Sequence, residues 1–165
     1  MRHTISVLVE NKFGALTRIA GLFSGRGFNI DTLNVGPTQD EKVSRMTIVV
    51  KGDDRVLDQV TRQLNKLVDV IEVQDFNDSR YVDRELVLIK VNVGAETRNE
   101  ALQICDIFRA KIVDVQLTNL SIEVTGNEAK ITKFIEMMTH FGIIDLVRSG
   151  KVAMPRRDQA ILPQA

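Results

Sequence analysis

The sequence contains no tryptophan, one tyrosine, one cysteine and two histidines among its 165 residues. The single cysteine, Cys105, cannot form a disulfide within the chain, which is typical of proteins in a reducing cytoplasm. No apolar run approaches the ~20 residues that span a bilayer. Glu10 and Asn11 interrupt the first apolar stretch where a signal peptide would continue. The sequence therefore predicts a cytoplasmic protein that does not enter a membrane.

The chain also lacks an excess of charge of either sign. Its 22 Lys and Arg residues balance 22 Asp and Glu residues, so no basic field attracts nucleic acid or an anionic membrane. Aromatic residues make up only 5% of the chain, whereas sheets that bind RNA stack bases on aromatic side chains of their central strands. The corresponding strand offers Met46, Thr47 and Ile48. We expect no nucleic-acid partner.

Side chains that commonly perform catalysis are few and isolated. His3 lies at a strand start and His140 at a helix end, and neither has a neighbouring motif that would make it a base, so we expect surface or capping roles. Cys105 falls on the apolar face of a predicted helix, where cysteine packs as a small hydrophobe. No CxxC or HxxxH spacing indicates a metal site. Gly25 and Gly27 close a helix, whereas a dinucleotide-binding loop opens one. The sequence predicts neither catalytic residues nor metal ligands.

Hydrophobic periodicity predicts two copies of one pattern. Strands are expected at residues 3–9, 28–35, 45–50 and 70–76 in the first copy, and at 85–93, 111–117, 120–125 and 143–148 in the second. The helices between them have apolar faces at Leu16, Ile19, Ala20 and Phe23; Val56, Val60, Leu64 and Leu67; Ala101, Leu102, Cys105 and Phe108; and Ile131, Phe134, Ile135 and Met138. We therefore predict an α+β protein of two tandem ferredoxin-like βαββαβ domains.

Composition predicts the domain boundaries. The first domain is expected at residues 1–77, a polar linker at 78–84, the second domain at 85–150, and a flexible tail with two prolines at 151–165. A unit of ~75 residues is marginally stable alone, and one face of each sheet is left for the other unit or for an identical chain to cover. We expect a homodimer.

The connection between the first strand and the first helix is a candidate ligand site. Gly14 allows close approach of a ligand or a positive φ, and the helix start behind it offers N–H groups that attract a carboxylate. Asn11 carries a donor and an acceptor, which suits a zwitterion. Asn29, between Phe28 and Ile30, is a second polar position. A simple turn capped by Asn11 explains the same residues equally well.

The segment NKFGALTRIAGLFSGRGFNI resembles the opening of an ACT domain. In that family an Asn-x-x-Gly-x-Leu loop, a helix and a Gly-x-Asn-Ile strand start form an amino-acid effector site, usually at a dimer interface. From VLVENKFG to ELVLIKV the chain resembles the regulatory small subunits of acetolactate synthase. The resemblance implies an N-terminal ACT domain, a C-terminal ACT-like domain, and effector-binding positions at Asn11, Gly14, Ala15, Leu16, Asn29 and Ile30.

The same resemblance implies the partners. A catalytic large subunit holds thiamine diphosphate, Mg²⁺ and FAD and makes precursors of branched-chain amino acids, whereas the small subunit has no cofactor, raises that activity and confers feedback inhibition by valine. The second unit has the segment from Val93 to Thr97 in place of the Asn-x-x-Gly loop, so valine is expected only in the first. The open alternatives are an ACT-type sensor of another amino acid or for another enzyme, and an autonomous enzyme, which a turnover test on pyruvate without a partner would reveal.

Overall fold

The computed structural model describes residues 1–76 and 81–156, which divide into two compact units. The first unit comprises Met1–Val82 and the chain from Lys151 onward, and the second comprises Asp83–Gly150. In chain order the elements of the described ranges are β1 (Arg2–Glu10), α1 (Ala15–Gly25), β2 (Ile30–Pro37), β3 (Val43–Lys51), α2 (Asp54–Leu64), β4 (Val70–Asp75), β5 (Tyr81–Asn92), α3 (Arg98–Phe108), β6 (Lys111–Val115), β7 (Asn119–Gly126), α4 (Glu128–Thr139), β8 (Ile143–Arg148) and β9 (Val152–Pro155). The predicted fold class, two successive βαββαβ units, is confirmed.

The first unit has an antiparallel sheet in the order β2-β3-β1-β4. Alternate residues of its central strands point toward the helices, as a period of two requires. The buried core between sheet and helices is formed by Ile5, Val7, Val9, Ile19, Phe23, Met46, Ile48, Val50, Leu57, Val60 and Leu64. This arrangement leaves β2 and β4 as the two edge strands of the sheet.

Strand register fixes which loops share an end of this sheet. At one end Glu10 pairs with Val43 and Pro37 pairs with Ser44. At the other end His3 and Ile30 both pair with Val50. The connection that leaves β1 therefore lies beside the hairpin between β2 and β3, whereas the beginning of β2 lies at the opposite end.

The second unit repeats the arrangement with a sheet in the order β6-β7-β5-β8. Its core between sheet and helices consists of Val87, Ile89, Val91, Val93, Ala101, Ile104, Cys105, Leu120, Ile122, Val124, Ile131, Phe134 and Met138. On the helix-free face, Leu86 and Leu88 are 40% and 42% exposed. The corresponding face of β1 in the first unit is buried at Thr4, Ser6 and Leu8. The two repeats thus share a core pattern but differ on their outer faces.

Helix starts agree with the sequence where a polar cap is present. Asp53, the N-cap of α2, accepts a hydrogen bond from the backbone N–H of Val56 at 3.0 Å. Asn127 accepts from Lys130 N–H at 3.0 Å in front of α4. A carboxylate or amide oxygen at this position satisfies a backbone donor that the helix itself leaves unpaired. Both helices therefore begin where their caps predict.

Two expected connections differ from the structure. Val152–Pro155 form strand β9, which pairs with β5 and contacts β1, so the expectation of a flexible tail from Lys151 is wrong for these residues. Buried Ala153 and the bond from Arg156 Nε to the Tyr81 carbonyl oxygen (3.2 Å) hold β9 in place. Residues 81–84 of the predicted linker belong to β5. Residues 78–80 of that linker and 157–165 of the tail lie outside the described ranges.

No helix within residues 1–76 and 81–156 has the length and apolar character needed to cross a membrane.

Candidate functional site

The loop after β1 is tied to the β2–β3 hairpin by Asn11. Its backbone N–H donates to the carbonyl oxygen of Lys42 at 2.7 Å, and its side-chain Nδ2 donates to that of Glu41 at 2.8 Å. The amide donor of Asn11 is thus used within the protein, and Asn11 does not cap α1. No protein group within the described ranges hydrogen-bonds its Oδ1, and this oxygen can accept a bond from an ammonium group.

Gly14 forms the N-cap of α1 and has a φ of 84°. This left-handed conformation strains any residue with a Cβ, which explains glycine here. No side chain of the described ranges caps α1, in contrast to α2 and α4. The backbone N–H of Ala15 donates to the Lys12 carbonyl oxygen at 3.3 Å. The N–H groups of Leu16 and Thr17 are left, together with the partial positive charge of the helix end, to bind a carboxylate.

The two residues after Gly14 differ in their exposure to solvent. The side chain of Ala15 is buried, and its backbone N–H is bonded within the loop. Leu16 is 45% exposed. An exposed branched side chain beside free helix N–H groups suits an amino acid whose own side chain is aliphatic, because apolar contact and carboxylate binding can occur together.

Asn29 and Ile30 lie far from this loop in the same chain. Ile30 begins β2 opposite Val50, while Glu10 pairs with Val43. At ~3.4 Å per residue of β3, the two ends of the sheet are more than about 20 Å apart. The structure thus brings Asn11, Gly14, Ala15 and Leu16 together, and it does not bring Asn29 and Ile30 to them within one protomer.

A buried carboxylate that the sequence analysis missed lies beneath the loop. The side chain of Asp69, just before β4, is 2% exposed, and its Oδ2 accepts a short hydrogen bond from Arg18 Nε. The ammonium of Lys12 lies 2.8 Å from Oδ1 in an ion pair, and Lys12 also pairs with Glu10. Because Arg18 and Lys12 are about half exposed, the carboxylate is covered by two cations near the surface and not by apolar core.

The charges of this cluster shift one another's pKa values. Arg18, followed by Lys12, holds the pKa of the Asp69 carboxyl below its ordinary value. Asp69 and Glu10 raise the pKa of Lys12. The Asp69 carboxyl and the Lys12 ammonium are therefore both ionised at neutral pH. The sequence offered only a weak signal for this cluster, a lone aspartate between Val68 and Val70, and none for its partner on α1.

The corresponding connection of the second unit has different side-chain contacts, although α3, like α1, begins without a cap from any described side chain. Thr97 Oγ1 accepts from the backbone N–H of Gly94 at 2.9 Å. The guanidinium of Arg98, at the start of α3, donates to the carbonyl oxygens of Gln116 and Leu117 at 2.6 and 2.8 Å. A cation held at this helix start differs from the open glycine start of α1, and the two connections are not equivalent sites.

Two shallow clefts lie on the helical surface of the first unit. One, of about 370 Å³, is lined by Gly25, Arg26, Phe28, Gln59 and Gln63. The other, of about 550 Å³, is lined by Arg18, Gly21, Leu22, Gly25, Arg26, Gln63, Lys66 and Leu67. Neither lining includes any of the six sequence-predicted effector positions.

The residues considered for catalysis have structural contacts. His3 is buried with Nε2 3.0 Å from the Gly52 carbonyl oxygen, so the expectation of a surface or capping role is wrong for it. His140 is the C-cap of α4, as predicted. Burial raises the pKa of the Cys105 thiol to about 11, which makes it a poor nucleophile. Residues 1–76 and 81–156 hold no group of three His, Cys, Asp or Glu arranged for a metal ion.

Family models match both units. Residues 5–72 match the "AHAS small subunit-like ACT domain", and residues 84–157 match the "Small subunit of acetolactate synthase". The first match agrees with the fold of the first unit and with its glycine-started helix, and it defines that unit as an ACT domain. The second match covers the second unit and strand β9.

Relatives extend the likeness over the whole chain. A protein of Archaeoglobus fulgidus, named "Probable acetolactate synthase small subunit", is 54% identical over 94% of this chain and 98% of its own. The acetolactate synthase small subunit of Aquifex aeolicus is 49% identical over 97% of this chain and 83% of its own. The crystal structure of the Thermotoga maritima small subunit has a TM-score of 0.85 and 39% identity, covering 96% of this chain and 99% of that one. The chain belongs to the acetolactate synthase small-subunit family.

Proposed function

We propose that this chain is a non-catalytic regulatory subunit that raises the activity of an acetolactate synthase catalytic subunit and confers feedback inhibition by valine. Membership of the small-subunit family supports the partner. The observation that best supports an amino-acid effector is the start of α1, where Gly14 adopts a left-handed conformation and no described side chain caps the helix. Thiamine diphosphate, Mg²⁺ and FAD belong to the catalytic partner in this proposal, and both subunits work in the cytoplasm.

The loop after β1 suits the functional groups of valine. The carboxylate would accept hydrogen bonds from the N–H groups behind Gly14, where the helix dipole favours negative charge. The ammonium would donate to Asn11 Oδ1, which is fixed by the bond from Nδ2 to Glu41. The exposed Leu16 supplies apolar contact for the isopropyl group. Leucine and isoleucine have the same ammonium and carboxylate groups and a longer aliphatic side chain, so they are the ligands expected to compete with valine.

A homodimer would complete the site. β2 is an edge strand, and a two-fold axis beside it would run the strand antiparallel to its copy. The beginning of β2 on one protomer would then lie beside the end of β2 on the other, which is the end of the sheet that carries the Asn11 loop. Asn29 and Ile30 of one chain would thereby reach the Asn11–Leu16 loop of its partner, a distance that one protomer alone cannot span.

Regulation requires valine to favour one arrangement of the complex over another. Typical coupling free energies are ~1–3 kcal/mol. By linkage the catalytic subunit must change valine affinity by the same factor as valine changes the affinity between the subunits. The left-handed glycine before α1, and the Thr97 and Arg98 that stand at the start of α3 instead, support valine binding in the first unit alone.

The test combines binding with activity. Calorimetric titration of the isolated chain with valine, leucine and isoleucine should give saturable binding, tightest for valine, at one site per chain. Adding the chain to its catalytic subunit should raise acetolactate formation, and valine should lower it again. A chain that binds valine but leaves the catalytic subunit unaffected would contradict the proposal, and so would activation without any response to valine.

A further inference from the structure

We propose that Asp69 is a positioning residue that holds the effector loop in its binding shape before the effector arrives. This inference rests on the proposed function, since it concerns the same valine site. Asp69 does not belong to the loop or to α1. It precedes β4, the edge strand opposite β2, and it reaches the loop only through the tertiary structure.

Three separate attachments join Asp69 to the segment between Glu10 and Arg18. Its carbonyl oxygen accepts the backbone N–H of Glu10 at 2.8 Å. Its Oδ2 accepts from Arg18 Nε, and its Oδ1 pairs with the Lys12 ammonium. One attachment thus holds the end of β1, one holds the loop, and one holds the first turn of α1. A single residue thereby sets the relative position of the parts on which the effector would rest.

The attachment to Arg18 bears directly on Gly14. A Cβ built on Gly14 would lie 2.8 Å from Arg18 Nη1, and Arg18 Nη2 lies 3.5 Å from the Phe13 carbonyl oxygen. The guanidinium that Asp69 holds therefore covers one side of the Gly14 peptide. This contact restricts the loop in its left-handed turn, and a loop ordered in advance loses less conformational entropy when a ligand binds.

Asp69 also controls the charge at the site. With the carboxylate in place, Lys12 and Arg18 are both paired, and the effector carboxylate is left to the backbone N–H groups of α1. Without it, Arg18 loses its carboxylate and Lys12 keeps only Glu10, so two half-exposed cations face each other with one carboxylate fewer between them. Their repulsion would move them toward water, and the loop they anchor would move with them.

The second unit offers a matched control. Glu85 is likewise a buried carboxylate, and Arg148 binds it through Nε and Nη2 at 2.8 and 2.7 Å. This pair joins β5 to β8 within the second unit. Removing its charge should affect stability through a lost buried ion pair, as at Asp69, but should leave the effector loop unchanged.

The experiment compares full-length Asp69→Asn, Asp69→Glu and Glu85→Gln with the wild-type chain. Valine affinity is measured by calorimetry, backbone hydrogen exchange by mass spectrometry over residues 10–18, and stability by thermal unfolding. Asp69→Asn should weaken valine binding about tenfold and speed exchange in this segment. Asp69→Glu, which keeps the charge, should recover part of both. Glu85→Gln should change neither, whatever its effect on melting temperature.

The outcomes separate the inference from the proposed function. Wild-type affinity or wild-type loop exchange in Asp69→Asn would overturn the role of Asp69 while the valine site stands. An equal loss of affinity in Glu85→Gln would overturn it as well, because the effect would follow from general destabilisation. A wild-type chain that binds no valine would overturn the proposed function and this role together.

Discussion

Asn11 and Asn29 lie at opposite ends of the same four-stranded sheet, Asn11 directly after the residue that pairs with Val43 and Asn29 directly before the residue that pairs with Val50. Both belong to the effector motif that the family resemblance implies. One amino acid cannot touch both in a single protomer. The separation therefore gives the dimer hypothesis a consequence that can be measured.

Mixing two inactive variants should restore binding. If each site uses Asn11 of one chain and Asn29 of the other, a heterodimer of Asn11→Ala and Asn29→Ala contains one intact site and one doubly altered site. Random reassortment of equal amounts should restore about a quarter of the valine sites. Calorimetric stoichiometry after mixing measures this fraction. Mixing Asn11→Ala with the Asn11→Ala/Asn29→Ala double variant is the control and should restore none.

Two substitutions of Gly14 should separate the effect of backbone strain on valine inhibition from the effect of an added negative charge. Gly14→Ala places a Cβ at a φ of 84°, which costs roughly 1–2 kcal/mol. Gly14→Asp adds a negative charge facing the effector carboxylate, although aspartate tolerates the left-handed conformation better than alanine does. We expect Gly14→Asp to abolish valine inhibition and Gly14→Ala to weaken it, with activation of the catalytic subunit retained by both. Inhibition curves of the reconstituted enzyme at increasing valine concentration measure these effects. Wild-type valine sensitivity in Gly14→Asp would show that the loop is only a turn and does not bind the effector.

The loss of folding stability at acid pH should depend on Asp69. Its pKa is lowered in the folded state, chiefly by Arg18 and then by Lys12, and Glu10 shares Lys12. The stability that comes from this shift is therefore present above the ordinary aspartate pKa and is lost as the pH falls through the lowered value. Wild type should melt above Asp69→Asn at pH 7, and the difference should shrink in strong acid. A constant difference across this range, measured by thermal unfolding, would exclude an ionic contribution.

Cys105 should be unreactive until the second unit unfolds. Its thiol is buried on α3 and its pKa is raised to about 11, mainly by burial and then by Asp106. At pH 8 only about one thiol in a thousand is then ionised, and reagent access is blocked as well. A chromogenic disulfide reagent should react in denaturant and not under native conditions. Rapid native labelling would show that α3 opens far more readily than its core packing implies.

Local sequence determined most of the fold. A period of 3.6 marks the helices by Ile19 and Phe23 in α1 and by Phe134 and Met138 in α4, and the cap at Asp53 sets the start of α2. These signals act over one or two turns of chain, so they are readable without knowledge of tertiary contacts. The repeated order of elements then implies two ferredoxin-like units.

Strand β9 and the burial of His3 could not be read in this way. Val152–Pro155 is short and contains a proline, which resembles a loose tail until β5 and β1 provide partners. His3 is polar at the start of a strand, yet the first sheet is buried on both faces of β1. In both cases the deciding contacts come from residues distant in the chain.

The candidate site likewise has features that local sequence predicts and features that depend on tertiary contacts. The sequence alone determined that a glycine would precede the first helix next to Asn11, because these residues are neighbours and the turn is local. That Asn11 bonds to Glu41 and leaves α1 without a cap from any described side chain came only from the structure. Only the tertiary structure decided that Asn29 lies at the far end of the sheet, since strand register depends on pairing with β3. It alone brought Asp69 to Arg18, 51 residues earlier in the chain, because an ion pair depends on distance in space, and separation along the chain does not encode that distance.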